Sequence, residues 1–507
     1  MTASPVLIHD LLARHAESGN CALVHGEREL DYRTFHRTVE RFATALLQAG
    51  LERGDRAAIF LPRGIEECVA IFAVSRAGGV FVPVNALLRG PQISHIVADC
   101  SARIVITSRD LAPMVAECLH GIAGTLILTV EEMAETAAAP IDERGLGEDL
   151  AAILYTSGST GRPKGVMVSH GNLLAGVRIV RTYLAITPDE RILSILPFSF
   201  DYGLNQLLTA VEQGALTVIL TFRFGDEIVR ALRDHKITAL AGVPTIWAIL
   251  TKAAPLLHKT VLPHLRYITN SGGAVPSQTV GDLRRMLPQT NVFLMYGLTE
   301  AFRSTYLPPE ELDRRPTSIG KAIPECEIFI VTEDGRRAKP GEPGILVHRG
   351  PTVSRGYWNR PEETARVLRQ NPFRSKDEGG DIVCYSGDLA VEDGDGFFSF
   401  IGRNDAMIKS SGYRISPSEV EEAIMSTGHF RQVAVIGLPD DFAGQRLHAV
   451  AVALEPDVEA APALQAVAGM LAAYMVPRDL ELVEALPVTP NGKVDYRQLV
   501  RERTENG

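Results

Sequence analysis

Between Ile153 and Val166 the chain reads ILYTSGSTGRPKGV, an apolar run that empties into four Ser/Thr hydroxyls, three glycines and a lysine. Gly158, Gly161 and Gly165 let the backbone approach a polyphosphate closely, Thr156, Ser157, Ser159 and Thr160 can donate hydrogen bonds to its oxygens, and Lys164 adds positive charge. Phosphate binding is the chemistry these residue types indicate. The pattern G-x-x-x-x-G-K-[ST] is not met, because Pro163 stands where its second glycine belongs and Gly165 follows Lys164. A kinase- or GTPase-type phosphate loop is therefore disfavoured.

A loop of this kind needs a buried strand behind it, and the flanking sequence supplies a framework of alternating elements. Apolar residues recur at helical spacing from Asp31 to Gly50, and the short apolar run Arg56–Leu61 then ends at Pro62. The alternation returns in Glu66–Ala77 with Val80–Val84, in Asp226–His235 with Ile237–Ala241, and in Ser277–Leu287 with Val292–Tyr296. It predicts an α/β fold of stacked layers around a mostly parallel sheet. Between Gly320 and Phe400 short strands broken by EDGR, KPGEPG and EDGDG predict a small β-rich subdomain. Beyond Gly402 a helix from near Ser416, two strands (QVAVIGLP and HAVAVAL) and an Ala-rich helix ending near Met475 predict a separate α+β lobe. The expected division is a core at 1–402 and a mobile C-terminal lobe at 403–507, with Arg403–Lys409 as the hinge.

Bulk properties restrict the function further. A chain of 507 residues exceeds one compact core, and 46% hydrophobic with 22% charged residues is ordinary for a folded enzyme. A formal charge of -10 argues against a nucleic-acid partner held by phosphate neutralisation. The six cysteines show no C-x-x-C pair or metal-ligand spacing and read as reduced thiols. The N-terminus lacks the pattern of an export signal, and no stretch approaches the roughly 18 apolar residues of a membrane span. The cytoplasm is the expected location.

Further motifs follow the phosphate loop in order: MYGLTE at Met295–Glu300, YSGDLA at Tyr385–Ala390, GRNDAMIKSSGYRISPSEVE at Gly402–Glu421 and PVTPNGKVD at Pro487–Asp495, with RAGGVFVPVN at Arg76–Asn85 before it. Together they resemble the adenylate-forming superfamily of acyl-CoA synthetases, luciferases and nonribosomal-peptide adenylation domains, over nearly the whole chain. That resemblance implies an enzyme that uses ATP and Mg²⁺ to activate a carboxylic acid as an acyl-AMP. It places ATP or AMP against Thr156, Ser157, Gly158, Ser159, Thr160, Gly161, Lys164, Gly273, Gly297 and Thr299, with Tyr296 over the adenine. Asp388 would accept hydrogen bonds from the ribose hydroxyls, as a carboxylate can, and Arg403 would be a second ribose contact. Thr160 and Glu300 would hold Mg²⁺, whose preference is for hard oxygen ligands. Asp405 would be the pivot of the C-terminal lobe, and Gly412 with Tyr413 its thiol-transfer face. Lys493 would bridge the substrate carboxylate and the α-phosphate, a preorganised contact worth roughly 3 kcal/mol, or about a hundredfold in rate. Because Lys493, Glu300, Asp388 and Thr160 are all present, an inactive binding protein on this scaffold is disfavoured.

The acid and the acceptor are addressed by the segment LPFSFDYGLNQLL at Leu196–Leu208. CoA ligases usually carry a histidine where Phe200 stands, whereas the Phe200-Asp201 pair is similar to amino-acid adenylation domains, in which the aspartate binds the α-ammonium group. A buried carboxylate needs a partner of that kind. An amino acid is thus the expected substrate, in a pocket of Asp201, Tyr202, Asn205, Gly242, Thr269, Ser271, Met295, Arg303 and Ser304. Arg303 could face a second carboxylate on the substrate or Asp201 itself. LPVTPNGKVD favours a phosphopantetheine carrier protein as acceptor, expected in trans because only the residues to Gly507 follow Lys493. The alternative is an acyl-CoA ligase for a small organic or fatty acid. The run from Met295 to Pro324 is also similar to stand-alone ligases of bacterial biosynthetic clusters.

Overall fold

The helix Tyr32–Gln48 starts at Asp31, whose carboxylate accepts the backbone N–H of Thr34 at 2.6 Å and so caps the first turn. Its apolar stripe, Phe35, Val39, Phe42 and Leu46, is buried against the helix Ile65–Arg76, and Phe35 meets Phe72 edge to face at 5.5 Å. The second helix is apolar nearly all round and is correspondingly enclosed on all sides. These packing relations come from a computed structural model that describes residues 4–142, 145–157, 163–273, 275, 277–374, 381–403, 408–415, 417–456, 458–487, 494 and 496–505. The large N-terminal domain and the smaller C-terminal one are both mixed α/β.

Two sheets, rather than the single one expected, sandwich those helices. Among the described residues the first has six strands, in the order Leu126–Thr129, Ile104–Thr107, Arg56–Ile59, Val80–Pro83, Leu150–Ser157 and Pro163–Ser169. All neighbours are parallel except the last pair. Val80–Pro83 and Ile104–Thr107 are buried at every position, as strands covered on both faces must be. Among the described residues the second sheet has fourteen strands and a parallel centre: Cys21–His25, Leu216–Ile219, Arg191–Ser194, Ala239–Gly242, Tyr267–Asn270 and Asn291–Tyr296.

The β-rich region is not a separate sheet. From Asn291–Tyr296 the hydrogen-bonded ladder runs on, antiparallel, through Thr305–Leu307, Ser318–Ala322 and Phe398–Arg403 to Ile382–Glu392, Gly344–Arg349 and Glu327–Val331. Turn spacing reveals short strands, but not which distant strand each one joins.

The C-terminal domain has a five-stranded sheet among the described residues, built on the long hairpin Phe430–Asp440 and Gly444–Ala453. Two elements unread in the sequence complete it, the parallel strand Asp479–Leu482 and the helix Tyr496–Glu505. All six cysteines are free thiols, and no helix among the described residues is long and apolar enough to cross a membrane.

The two domains meet where Gln92, on the helix Gly90–Asp99, donates to Glu419 Oε1 at 3.3 Å and to the sulfur of Met475 at 3.4 Å. Burial pushes the Glu419 carboxyl up to about 7, although the Gln92 bond opposes it. A carboxyl raised in the folded state stabilises most in acid, and that contribution is lost as pH climbs from the ordinary value through about 7. Glu419→Gln should therefore match the parent near about pH 4 and exceed it by roughly 1–3 kcal/mol at about pH 8. Thermal melts of both proteins across pH check this; parallel profiles would contradict it.

Candidate active site

Ligands of parallel α/β sheets bind beyond the carboxyl ends of the strands, and the predicted site residues collect there. Asn291–Tyr296 runs into Gly297, Thr299 and Glu300; Tyr267–Asn270 runs into Ser271 and Gly273; and Arg191–Ser194 leads to Phe200 and Asp201. Trp247 holds the second of these ends in place, donating Nε1–H to Asn270 Oδ1 at 2.9 Å, while Asn270 Nδ2 donates to the Gly273 carbonyl at 2.9 Å.

A cavity of about 520 Å³ is lined by Gly272, Gly273, Met295, Tyr296, Gly297 and Asp388 among others. Its size suits a nucleotide. The Tyr296 hydroxyl donates to Asp388, and the Tyr296 ring lies nearly parallel to His348 at 6.1 Å. Burial drives His348 down to about 3, which keeps it neutral. Asp388 lies opposite Arg403 in the strand register. The side chains of Arg403 and Ser157 lie outside the description, as do Gly158, Ser159, Thr160, Gly161, Asp405 and Lys493 altogether. Sequence reasoning missed Phe400, Gln445 and Lys409 as cavity residues. The Lys409 ammonium sits 4.5 Å over the Phe400 ring; the only signal was its place inside the presumed hinge.

Beside this cavity, Glu300 is buried and receives the Tyr357 hydroxyl at 2.6 Å on Oε1. Its Oε2 is enclosed with no hydrogen-bond partner among the described residues. Such an oxygen fits a hard cation. No group of three or more His, Cys, Asp or Glu able to hold a metal occurs among the described residues.

Asp201 and Arg303 are 4% and 3% exposed and pair at 3.3 Å. Burial raises the Asp201 carboxyl while Arg303 pulls it back. The aspartate expected to await a substrate ammonium group thus already has a cation. The Arg303 guanidinium also lies 4.6 Å over the Tyr202 ring, and the Tyr202 hydroxyl donates to the Thr269 carbonyl at 2.8 Å. Next to Arg303, Phe302 takes φ +53°, and its ring fills the notch left by Gly176, where any Cβ would collide with it. A non-glycine residue in that conformation costs about 1–2 kcal/mol, offset here by complete burial of the ring. Tyr202, Asn205, Thr269, Met295 and Arg303 line a small enclosed space beyond the ion pair.

A third cavity, of about 160 Å³, is lined by Thr156, Asp201, Ser271, Gly297, Thr299 and Arg303 from the large domain and by Gly412, Tyr413, Tyr474 and Met475 from the small one. Gly412 has φ +81°, and a Cβ there would lie 2.6 Å from Val243. Only glycine lets the hairpin sit so close. Tyr413 stacks on Tyr474 at 3.6 Å and is hydrogen-bonded to Asn85.

Three expected site residues are placed differently. Lys164 is buried in an ion pair with Glu363, its ammonium 5.6 Å over the Tyr357 ring, so its charge is already compensated. Gly242 is covered by Trp247, whose ring would stand 2.6 Å from a Cβ there, and Ser304 is fully buried behind the strand ends. Neither of these two lines the three cavities.

The sequence pattern of the AMP-binding enzyme family matches residues 12–358, and that of the AMP-binding enzyme C-terminal domain matches 419–493. The chain belongs to the AMP-binding enzyme family. This AMP-binding enzyme is similar to the indoleacetate–CoA ligase of Aromatoleum aromaticum, at 31% identity over 98% of this chain and 99% of the relative. It is also similar to tyrocidine synthase 1 of Brevibacillus parabrevis, at 30% identity over 97% of this chain but 44% of the relative. The o-succinylbenzoate CoA synthetase of Bacillus subtilis, solved as a double mutant bound with its product analogue, superposes with a TM-score of 0.87 at 27% identity, covering 96% of this chain and 97% of that one. This AMP-binding enzyme is an AMP-forming ligase that uses ATP in acid-activating adenylation chemistry.

The buried ion pair gives a direct stability test. Arg303→Met strands Asp201 without its cation and should cost about 3–5 kcal/mol in urea unfolding. Adding Asp201→Asn should recover roughly half of that or more. Additive losses would show that the two side chains do not interact.

Proposed function

We propose that the enzyme condenses a small carboxylic acid with ATP to acyl-AMP and pyrophosphate, then passes the acyl group to the thiol of a phosphopantetheine arm. The observation that carries this reading is that the three cavities converge on one short segment. The 520 Å³ and 160 Å³ cavities share Gly272, Gly297 and Gly412, and Arg303 lies between the 160 Å³ cavity and the enclosed space beyond it. A nucleotide, an acid and a thiol can therefore reach one point near Gly297.

In this reading the nucleotide occupies the cavity of Tyr296 and Asp388, and the acid lies along Asp201, Tyr202 and Arg303. The carboxylate attacks the α-phosphorus in line and pyrophosphate leaves, with Lys493 supplying positive charge where it builds up. Glu300, with Thr160, would hold Mg²⁺, whose chemistry is to neutralise phosphate charge. Gly412 and Tyr413 then wall the passage along which the thiol reaches the acyl carbon and displaces AMP. The packing of Gly412 on Val243 and Gly272 supports a thiol-transfer arrangement of the small domain, and the TM-score of 0.87 to a synthetase bound with its product analogue is consistent with it. Because Arg303 already neutralises Asp201, the site does not demand an α-ammonium group.

Pyrophosphate exchange over amino acids, their des-amino analogues, aryl acids and alkyl acids tests the first half-reaction. We expect an amino acid and its des-amino analogue to exchange within about tenfold of each other, a gap of roughly 1.4 kcal/mol. A preference near a thousandfold would mean that Asp201 trades Arg303 for the substrate. Lys493→Ala should lower exchange by about a hundredfold; an unchanged rate refutes the role given to it. Mass analysis with free coenzyme A and with a phosphopantetheinylated carrier protein separates the two thiol sources. Gly412→Ala should depress thioester yield more than exchange, by about tenfold or more, and equal losses would place the hairpin outside the thiol path.

A further inference from the structure

The helix Asp201–Gln213 turns Tyr202, Asn205, Gln206 and Thr209 toward one enclosed space, as residues spaced by three and four on a helix must. The remaining wall is largely apolar, including Val180, Ile192 and Ala241. Against that wall, four lining side chains carry a buried polar atom with no hydrogen-bond partner among the described residues: Asn205 Nδ2, Gln206 Oε1, Thr209 Oγ1 and Arg303 Nε. Asn205, Thr209 and Arg303 are 2%, 1% and 3% exposed. Polar groups so enclosed are ordinarily satisfied, and leaving several unsatisfied around one space is costly. Arg303 uses Nη1 on Asp201, which leaves its Nε–H directed elsewhere. Asn205 Nδ2 and Arg303 Nε are N–H donors and the Thr209 hydroxyl can donate as well, so three of the four call for an oxygen acceptor, while Gln206 Oε1 is itself an acceptor and calls for a donor such as a carboxamide N–H.

We propose that this space is the far end of the acyl pocket, and that it selects a short acid whose distal end carries a carboxylate or carbonyl oxygen in place of a methyl or an aryl ring. The inference rests on the acid-activating reading above and adds the substrate class to it. The size agrees: about 30 Å³ accommodates two water-sized groups at roughly 10–15 Å³ each, which matches the two terminal heavy atoms of a carboxylate or carboxamide and excludes a ring. The orientation agrees as well, since Arg303 touches both this space and the cavity next to Gly297. An acid lying past Arg303 would present its reacting carboxylate at Gly297 and its other end to Asn205 and Thr209. Asn205, Gln206 and Thr209 become specificity-determining residues for the reaction.

Pyrophosphate exchange should be measured with succinate, glutarate and adipate, with their monoamides, and with methyl-ended acids of equal length. The oxygen-ended acids should give a kcat/KM roughly a hundredfold above the methyl-ended ones, and the diacid-to-monoamide ratio tells an anionic acceptor from a neutral one. Thr209→Val keeps the shape of the side chain and removes an unsatisfied hydroxyl. It should hold or raise the melting temperature while lowering the oxygen-over-methyl ratio about tenfold. Asn205→Leu should do the same to the ratio, with Thr209→Val carrying the test alone if that variant does not fold. Methyl-ended acids used equally well, or a ratio that Thr209→Val leaves unmoved, would overturn the proposal. Exchange with aryl acids alone would overturn it and leave acid activation standing, whereas exchange with no acid at all would remove acid activation and this proposal together.

Discussion

A charge pair that cannot reach water sets the geometry of the whole centre. Asp201 opens the helix Asp201–Gln213 and Arg303 ends the turn that follows Tyr296, so their contact ties that helix to the end of a central strand of the second sheet. A buried pair of this kind contributes little net stability, because desolvation of both ions opposes their attraction. Its value is positional. With Phe302 seated in the notch beside Gly176, the pair anchors the turn from Gly297 to Arg303 at its far end. Every cavity of the site depends on that turn, since Met295, Gly297 or Arg303 lines each of them.

The small domain completes the centre from outside. It offers a hairpin whose glycine is pressed against Val243, a stacked pair of tyrosines, and Glu419 buried against Gln92 of the large domain. None of these is a large apolar surface. The contact is small and mixed, with Leu88 and Val243 as its apolar part and the Gln92–Glu419 hydrogen bond as its polar one, which suits an interface meant to form and part. The arrangement fits a ligase that must first exclude water from an activated acyl group and then admit a thiol to it.

Much of this was readable from residue types. Hydrophobic periodicity located the strand Asn291–Tyr296 and several helix–strand pairs around it, because buried parallel strands are continuous apolar runs, but it did not identify the helix Asp201–Gln213 or the strands Arg191–Ser194 and Tyr267–Asn270. The short motifs assign Tyr296, Glu300, Asp388 and Tyr413 to one site from residue order alone. What stayed hidden were relations between distant positions. Lys164 looked like a cation reserved for phosphate because Glu363, its partner, lies some two hundred residues away. Asp201 read as an anion awaiting a substrate ammonium group because sequence left open whether Arg303, 102 residues on, faces it or a second substrate carboxylate. Gly242 resembled a pocket lining, but the residue that needs its missing side chain, Trp247, packs on it only once the next helix folds back. The continuity of the β-rich region with the second sheet was likewise invisible, since strand pairing between Ser318–Ala322 and Phe398–Arg403 leaves no local signature.

The central claim is that a carboxylate oxygen of the acid attacks the α-phosphorus at the point where the cavities meet. Turnover of an acid labelled with ¹⁸O in its carboxylate, followed by mass analysis of the nucleotide released, tests it most directly. The account predicts AMP carrying one ¹⁸O on its phosphate, with unlabelled pyrophosphate. ADP as the nucleotide product, or label recovered in orthophosphate, would contradict it.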